Sequence, residues 1–122
     1  MSPTVLVFLG GGIGSVLRYG VTLAATSIFG IGFPVGTLTV NIVGSFVMGL
    51  FAAYFAPWGE AALAWRLLFM TGVMGGFTTF SAFSLDTAVL YERGQSVAAL
   101  LYVAASNVGS ITALFLGLML LR

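Results

Sequence analysis

Three groups of residues in this chain have types and spacings that do chemistry. Thr37, Asn41 and Ser45 are four apart and share one face of a helix. Asn41 falls near the middle of an apolar stretch, where an unpaired amide is costly. It therefore faces either another helix, as a hydrogen-bonding glue, or a water-filled route. Tyr102, Ser106 and Ser110 repeat the spacing, with Thr112 on a neighbouring face. One serine in such a helix usually bonds back to its own backbone carbonyl. Two in register, below a tyrosine hydroxyl, also suit a ladder of donors for a dehydrated anion.

The third group is the run Gly72-Val73-Met74-Gly75-Gly76-Phe77-Thr78-Thr79-Phe80-Ser81-Ala82-Phe83-Ser84. Paired glycines followed by β-branched threonines make a poor continuous helix, so a break is expected. The alternative is a glycine-softened, unbroken helix packed closely on its neighbours. Non-helical backbone at membrane depth survives only when buried in protein or lining a cavity. Its freed carbonyl oxygens suit a hard cation. Phe80 and Phe83 share a face just after the expected break. Such a stripe is ordinarily core or lipid contact, but the positive ring edge also attracts a small anion in a narrow, dry passage.

The elements that position these groups follow from composition. The 122 residues are 60% hydrophobic and 6% charged, with mean hydropathy +1.16, whereas a soluble domain carries about 25% charged residues. Four arginines and three carboxylates cannot coat a soluble domain of this size. The bilayer is the solvent. A spanning helix needs about 20 apolar residues, which divides the chain into four spans in a single domain, residues 1–122. They are expected near 4–25, from after Phe33-Pro34 to Phe55, 63–91 and 96–121. Ala56-Pro57-Trp58-Gly59-Glu60 and Glu92-Arg93-Gly94 supply the turn signals. Trp58, Trp65, Tyr91 and Tyr102 fall toward span ends, where amphipathic rings settle. The N-terminal Met-Ser-Pro-Thr has no positive leader or small-residue cleavage site, so the first apolar run reads as a retained span.

Several classes are excluded. Without histidine or cysteine there is no imidazole or thiolate metal site, no disulfide and no Ser-His or Cys-His pair; an enzyme is not expected. A net charge of +1 without a basic cluster argues against nucleic acid. The Gly10-Gly11-Gly12-Ile13-Gly14 run does not match the spacing of a dinucleotide loop. Gly10 with Gly14, Gly72 with Gly76, and Gly109 with Ala113 and Gly117 instead give small faces for close helix packing. No acid, histidine or lysine lies in the middle of a span, which favours passive conduction over proton-coupled transport. A small proton-coupled exporter of cationic drugs would need a buried glutamate in its first span, which is absent here. For a membrane scaffold without transport, the polar features would be packing alone.

Charge also bears on orientation. With the N-terminus inside, Arg66 and Arg122 fall on one side and Arg18 and Arg93 on the other, so the positive-inside rule favours neither orientation. Either one orientation is chosen by other signals, or copies insert both ways and pair antiparallel. Arg18 and Arg122 either enrich anions near a pore mouth, Arg18 at a vestibule, or snorkel to headgroups.

The chain resembles the CrcB/Fluc fluoride channel family over essentially its whole length. The resemblance rests on Gly11-Gly12-Ile13-Gly14 leading to Arg18-Tyr19, on Gly36-Thr37-Leu38-Thr39-Val40-Asn41 with Gly44, and on Gly72 to Phe83. The family usually has threonine where this chain has Ala82, so no hydroxyl role is assigned there. The resemblance implies an all-α membrane protein of four transmembrane helices, the third broken near its centre. It also implies an antiparallel, dual-topology homodimer in a prokaryotic inner membrane, with two fluoride pathways and a structural sodium ion on the dimer axis. Carbonyls of Gly75 and Thr78 would hold that ion. Phe80 and Phe83 would be the pore phenylalanines and Asn41 the pore-facing amide. Thr37, Ser81, Tyr102, Ser106 and Ser110 would line the polar track. The implied activity is passive export of fluoride.

Overall fold

The computed structural model describes residues 1–122, and every regular element in it is helical. Helix α1 (Pro3–Phe29) is followed by α2 (Val35–Phe55), a 3-10 segment (Ala56–Ala62), and α3 (63–77). After a break come α4 (Ser81–Glu92) and α5 (Ser96–Leu121). Three helical runs are long and apolar enough to cross a membrane by length and composition: Pro3–Phe29, Val35–Glu92 and Ser96–Leu121. The chain is a multi-pass membrane protein.

The middle run, 58 residues long, is not one rod. Gly59 takes φ 54° and ψ −133° inside the 3-10 segment, a conformation glycine adopts without a Cβ clash. The chain reverses there. Phe51 of α2 meets Phe69 of α3 with ring centroids 5.3 Å apart, so α2 and α3 form a hairpin. Helix α1 runs four residues beyond its expected end. Thr26 and Ser27 stay helical, and Gly30, at φ 78° with its amide on the Thr26 carbonyl, makes the stop. At the other end, Ser2 caps the helix by accepting from the Val5 amide at 3.2 Å, with Pro3 at the first helical position.

The expected small faces are where helices meet backbone to backbone. A methyl group added at Gly14 would overlap the Val73 carbonyl oxygen, and one at Gly10 would lie 2.9 Å from the Gly72 Cα. Helix α1 thus lies directly on α3. Gly117 of α5 sits in the same way on the Phe46 carbonyl of α2, with Gly49 returning the contact against Leu114. Gly109 touches only the Ile42 side chain, so the close face of α5 is its far half.

The glycine-rich run differs in detail from its sequence reading. Gly72 lies inside a π-helical stretch, Leu67–Met74, an uncommon form that tends to mark functional sites. Gly75 and Gly76 remain α-helical. The helix gives way later, at Thr78, which is extended at φ −87° and ψ 159°. Glycine softens the helix, and the β-branched threonines leave it.

Candidate functional site

The break is built from diverted hydrogen bonds. The Thr79 amide, which would close a helical bond onto Gly75, donates instead to Asn41 Oδ1 at 2.8 Å. Asn41 Nδ2 donates to the Thr79 carbonyl at 2.9 Å. Asn41 therefore holds one residue of the break by both its polar backbone atoms, as a neighbouring strand would. The Ala82 amide, which would close onto Thr78, donates to Thr79 Oγ1 at 3.1 Å. The Gly76 carbonyl, whose helical donor would be the Phe80 amide, accepts from Arg18 Nε at 3.1 Å. Arg18 thus reaches inward to the break, where the sequence leaves a choice between pore mouth and headgroups.

Two carbonyls are released by these diversions, those of Gly75 and Thr78. No other backbone amide outside the regular helices donates to either. Neutral, hard oxygen donors of this kind suit an alkali cation. They are the two oxygens that the family resemblance assigns to sodium.

Beside the break is a cavity of about 210 Å³. Asn41 and Ser45 come to it from α2, Phe80 and Phe83 from the far side of the break, and Ser106 and Ser110 from α5. No charged residue lines it. The Ser106 and Ser110 hydroxyl oxygens are buried and have no hydrogen-bond partner. Neither serine bonds back to its own helix, unlike Thr87, which donates to the Phe83 carbonyl at 2.9 Å. Two buried, unpartnered hydroxyls one turn apart are costly unless something accepts from them.

The structure divides the predicted polar residues between two places. Thr37 is not on this cavity. It lines two further polar cavities, of about 190 and 390 Å³, which share Thr22, Thr37 and Asp86. Arg18 lines the larger. Thr79 lines both that cavity and the inner one, so the residue clamped by Asn41 forms part of the wall between them. Tyr102 is fully buried and donates from its hydroxyl to Asp86 Oδ2 at 3.0 Å, on the outer side. Its ring lies 5.2 Å from that of Phe83 and 5.5 Å, edge-on, from that of Phe33. Ser81 lines neither cavity; its hydroxyl is 3.4 Å from Thr79 Oγ1.

The phenylalanine pair is unequal. Their centroids are 5.4 Å apart, but Phe83 is buried and Phe80 is 73% exposed. Phe83 packs against the Tyr102 ring at a tilt of 44°, while Phe80 presents its ring at the surface of the single chain.

Asp86 and Asn107 are functional candidates that sequence reasoning misses. Asp86 reads as remote because it is close to the end of its helix, but Tyr102, sixteen positions on, turns it toward the vestibule. Asn107 also lines the inner cavity, although its amide donates back to the Val103 carbonyl at 2.8 Å. Its neighbour Ser106 carries the helical spacing and it does not.

Comparison with known proteins is consistent in kind. A family model described as CrcB-like protein, Camphor Resistance (CrcB), matches residues 5–118. A protein of Nitrobacter hamburgensis named fluoride-specific ion channel FluC 2 is 55% identical over 117 residues, covering 96% of this chain and 94% of that protein. Proteins named fluoride-specific ion channel FluC from Rhizobium johnstonii and a Chelativorans species are 52% and 54% identical over 122 residues. Each match spans 100% of this chain and 98% of the relative.

Proposed function

This chain belongs to the CrcB-like family, and from that premise we propose that it is a fluoride-selective passive channel of a prokaryotic inner membrane. It exports fluoride from the cytoplasm and so lowers its toxicity. The observation that carries the reading is the pair of buried, unpartnered hydroxyls of Ser106 and Ser110 in an uncharged cavity with Asn41, Phe80 and Phe83. Fluoride is a strong acceptor, and a passage that strips its water must offer donors in exchange. Neutral donors replace part of that hydration without the deep well that a buried lysine would create. The Arg18 vestibule feeds anions toward the Thr79 wall.

The working unit of this proposal is an antiparallel homodimer of four-span chains with two pores. The exposed Phe80 ring and the released carbonyls on the same stretch of chain favour a second copy against the break. Balanced arginines favour insertion both ways. Cysteines placed at either terminus are expected to label from both sides of the membrane; labelling from one side alone contradicts dual topology.

Sodium fits the carbonyls of Gly75 and Thr78, two from each copy on the dimer axis. When bound it supplies a fixed positive charge that ties the two breaks together. Replacing sodium with a large organic cation throughout purification is expected to reduce flux and loosen the dimer. Undiminished flux by an intact dimer would count against the site.

Growth tests the whole proposal. Cells without their own fluoride export are expected to tolerate fluoride when given this chain. Phe80→Ile and Phe83→Ile retain apolar bulk and are expected to remain dimeric. They lose the positive ring edges, so fluoride flux and protection should both fall. Normal protection by both variants would make the rings ordinary packing.

A further inference from the structure

The break is held at each end by a side chain from another helix. At its far end Asn41 of α2 clamps Thr79 by both polar backbone atoms. At its near end Arg18 of α1 donates from Nε to the Gly76 carbonyl at 3.1 Å. Between the two, Thr78 is fixed by its own side chain. Its hydroxyl donates to the Met74 carbonyl at 2.9 Å, and its methyl fills the space that a Cβ on Gly44 would need. The released carbonyls belong to Gly75, beside the Arg18 clamp, and to Thr78, beside the Asn41 clamp.

The reach of Arg18 follows from the packing of α1. Gly10, Gly14 and Arg18 are four apart and share one face. The two glycines let α1 lie backbone to backbone on Gly72 and Val73, and a Cβ at Gly76 would overlap the Gly11 carbonyl oxygen. With the main chains so close, the half-buried Arg18 stem extends along α3 to the Gly76 carbonyl. Asp86 lines the same outer cavity, but its Oδ2 accepts from Tyr102 and no hydrogen bond joins it to Arg18. A cation beside a helix C-terminus is favourable for its charge alone. The contact here is narrower, because it is made by Nε, the guanidinium nitrogen that the stem itself places.

We infer that Arg18 is a positioning residue for conduction, acting through its Nε donor over and above its charge. It fixes the near end of the break, so that the Thr79 wall and the released carbonyls keep their places. The consequence for flux rests on the conduction proposal; the order of the break is read without it.

Three substitutions divide donor from charge. Arg18→Gln keeps an N–H donor on the atom bonded to Cδ and removes the charge. Arg18→Lys keeps the charge and puts a methylene on that atom. Arg18→Met keeps neither. Elution volume and helical circular dichroism check folding; if the methionine variant does not fold, glutamine against lysine carries the contrast. Amide hydrogen exchange over residues 76–82 reads the break directly, since this stretch contains the diverted Thr79 and Ala82 amides. Exchange is expected to rise in the lysine and methionine variants and to rise least in the glutamine variant. Fluoride efflux from liposomes would be measured in about 1 M impermeant salt, where the Debye length is about 3 Å and attraction of anions by a distant charge is screened. The glutamine variant is expected to conduct well above the other two. Equal exchange in all variants, or glutamine grouped with methionine, overturns the inference. So does lysine conducting as well as glutamine, since charge would then suffice. Exchange ordered as expected with equal flux in all variants removes Arg18 from conduction and overturns it too. Absence of fluoride flux in the unaltered protein fails the conduction proposal, and the exchange order then decides the Arg18 clamp by itself.

Discussion

Replacing Asn41 with aspartate is expected to lower fluoride flux about a thousandfold in a chain that still folds. The substitution keeps shape and volume, and one carboxylate oxygen still accepts from the Thr79 amide as Asn41 Oδ1 does. The other oxygen, in its ionised form, faces the Thr79 carbonyl to which Asn41 Nδ2 now donates. The clamp becomes half attraction and half repulsion. At the same time a negative charge enters a cavity that has none. Two unit charges 4 Å apart interact by about 4 kcal/mol at an effective dielectric of 20, close to three orders of magnitude in rate. Flux from purified Asn41→Asp protein in liposomes, with size-exclusion elution as the folding check, decides it. Near-normal flux would place Asn41 off the ion's route and leave it an interhelical clamp alone.

The second large effect belongs to the α5 hydroxyls. Ser106→Ala with Ser110→Ala removes both unpartnered donors and adds no bulk. Folding should improve slightly if it changes, because two buried polar groups without partners disappear. Conduction should fall steeply. A hydrogen bond to a charged group is worth about 1.5–3 kcal/mol, so each lost donor slows the dehydrated ion by about ten- to a hundredfold. Stability and flux therefore move in opposite directions. A merely structural role for these serines predicts that both fall together or that neither moves. Thermal unfolding and fluoride efflux on the same preparation separate the two.

Much of this arrangement is legible in the sequence because periodicity and composition are local. The apolar runs, the turn at Gly59, the small faces at Gly10 and Gly14, and the helical register of Ser106 with Ser110 all follow from neighbours a few residues apart. What escapes is the pairing of distant polar atoms. Arg18 meets the Gly76 carbonyl across 58 positions, and no spacing rule connects them. Asn41 has two local readings, glue or cavity wall, and geometry shows that one side chain does both by clamping Thr79. Asp86 and Tyr102 belong to different helices, so neither periodicity nor charge counting joins them. The π-helical stretch Leu67–Met74 has no sequence signature of its own; close packing of Gly72 on Gly10 accompanies it. Ser81, which the family resemblance puts on the polar track, does not line the inner cavity or the two outer ones, and its hydroxyl lies 3.4 Å from that of Thr79.

The central claim is that this chain alone conducts fluoride passively, and efflux from liposomes tests it most directly. Purified protein would be reconstituted in vesicles loaded with potassium fluoride or potassium chloride, with equal pH on both sides. A potassium ionophore would shunt the membrane potential. Rapid loss of fluoride, with chloride retained and no proton gradient imposed, is the expected result. Retention of fluoride, or its release only when a proton gradient is supplied, would contradict passive conduction.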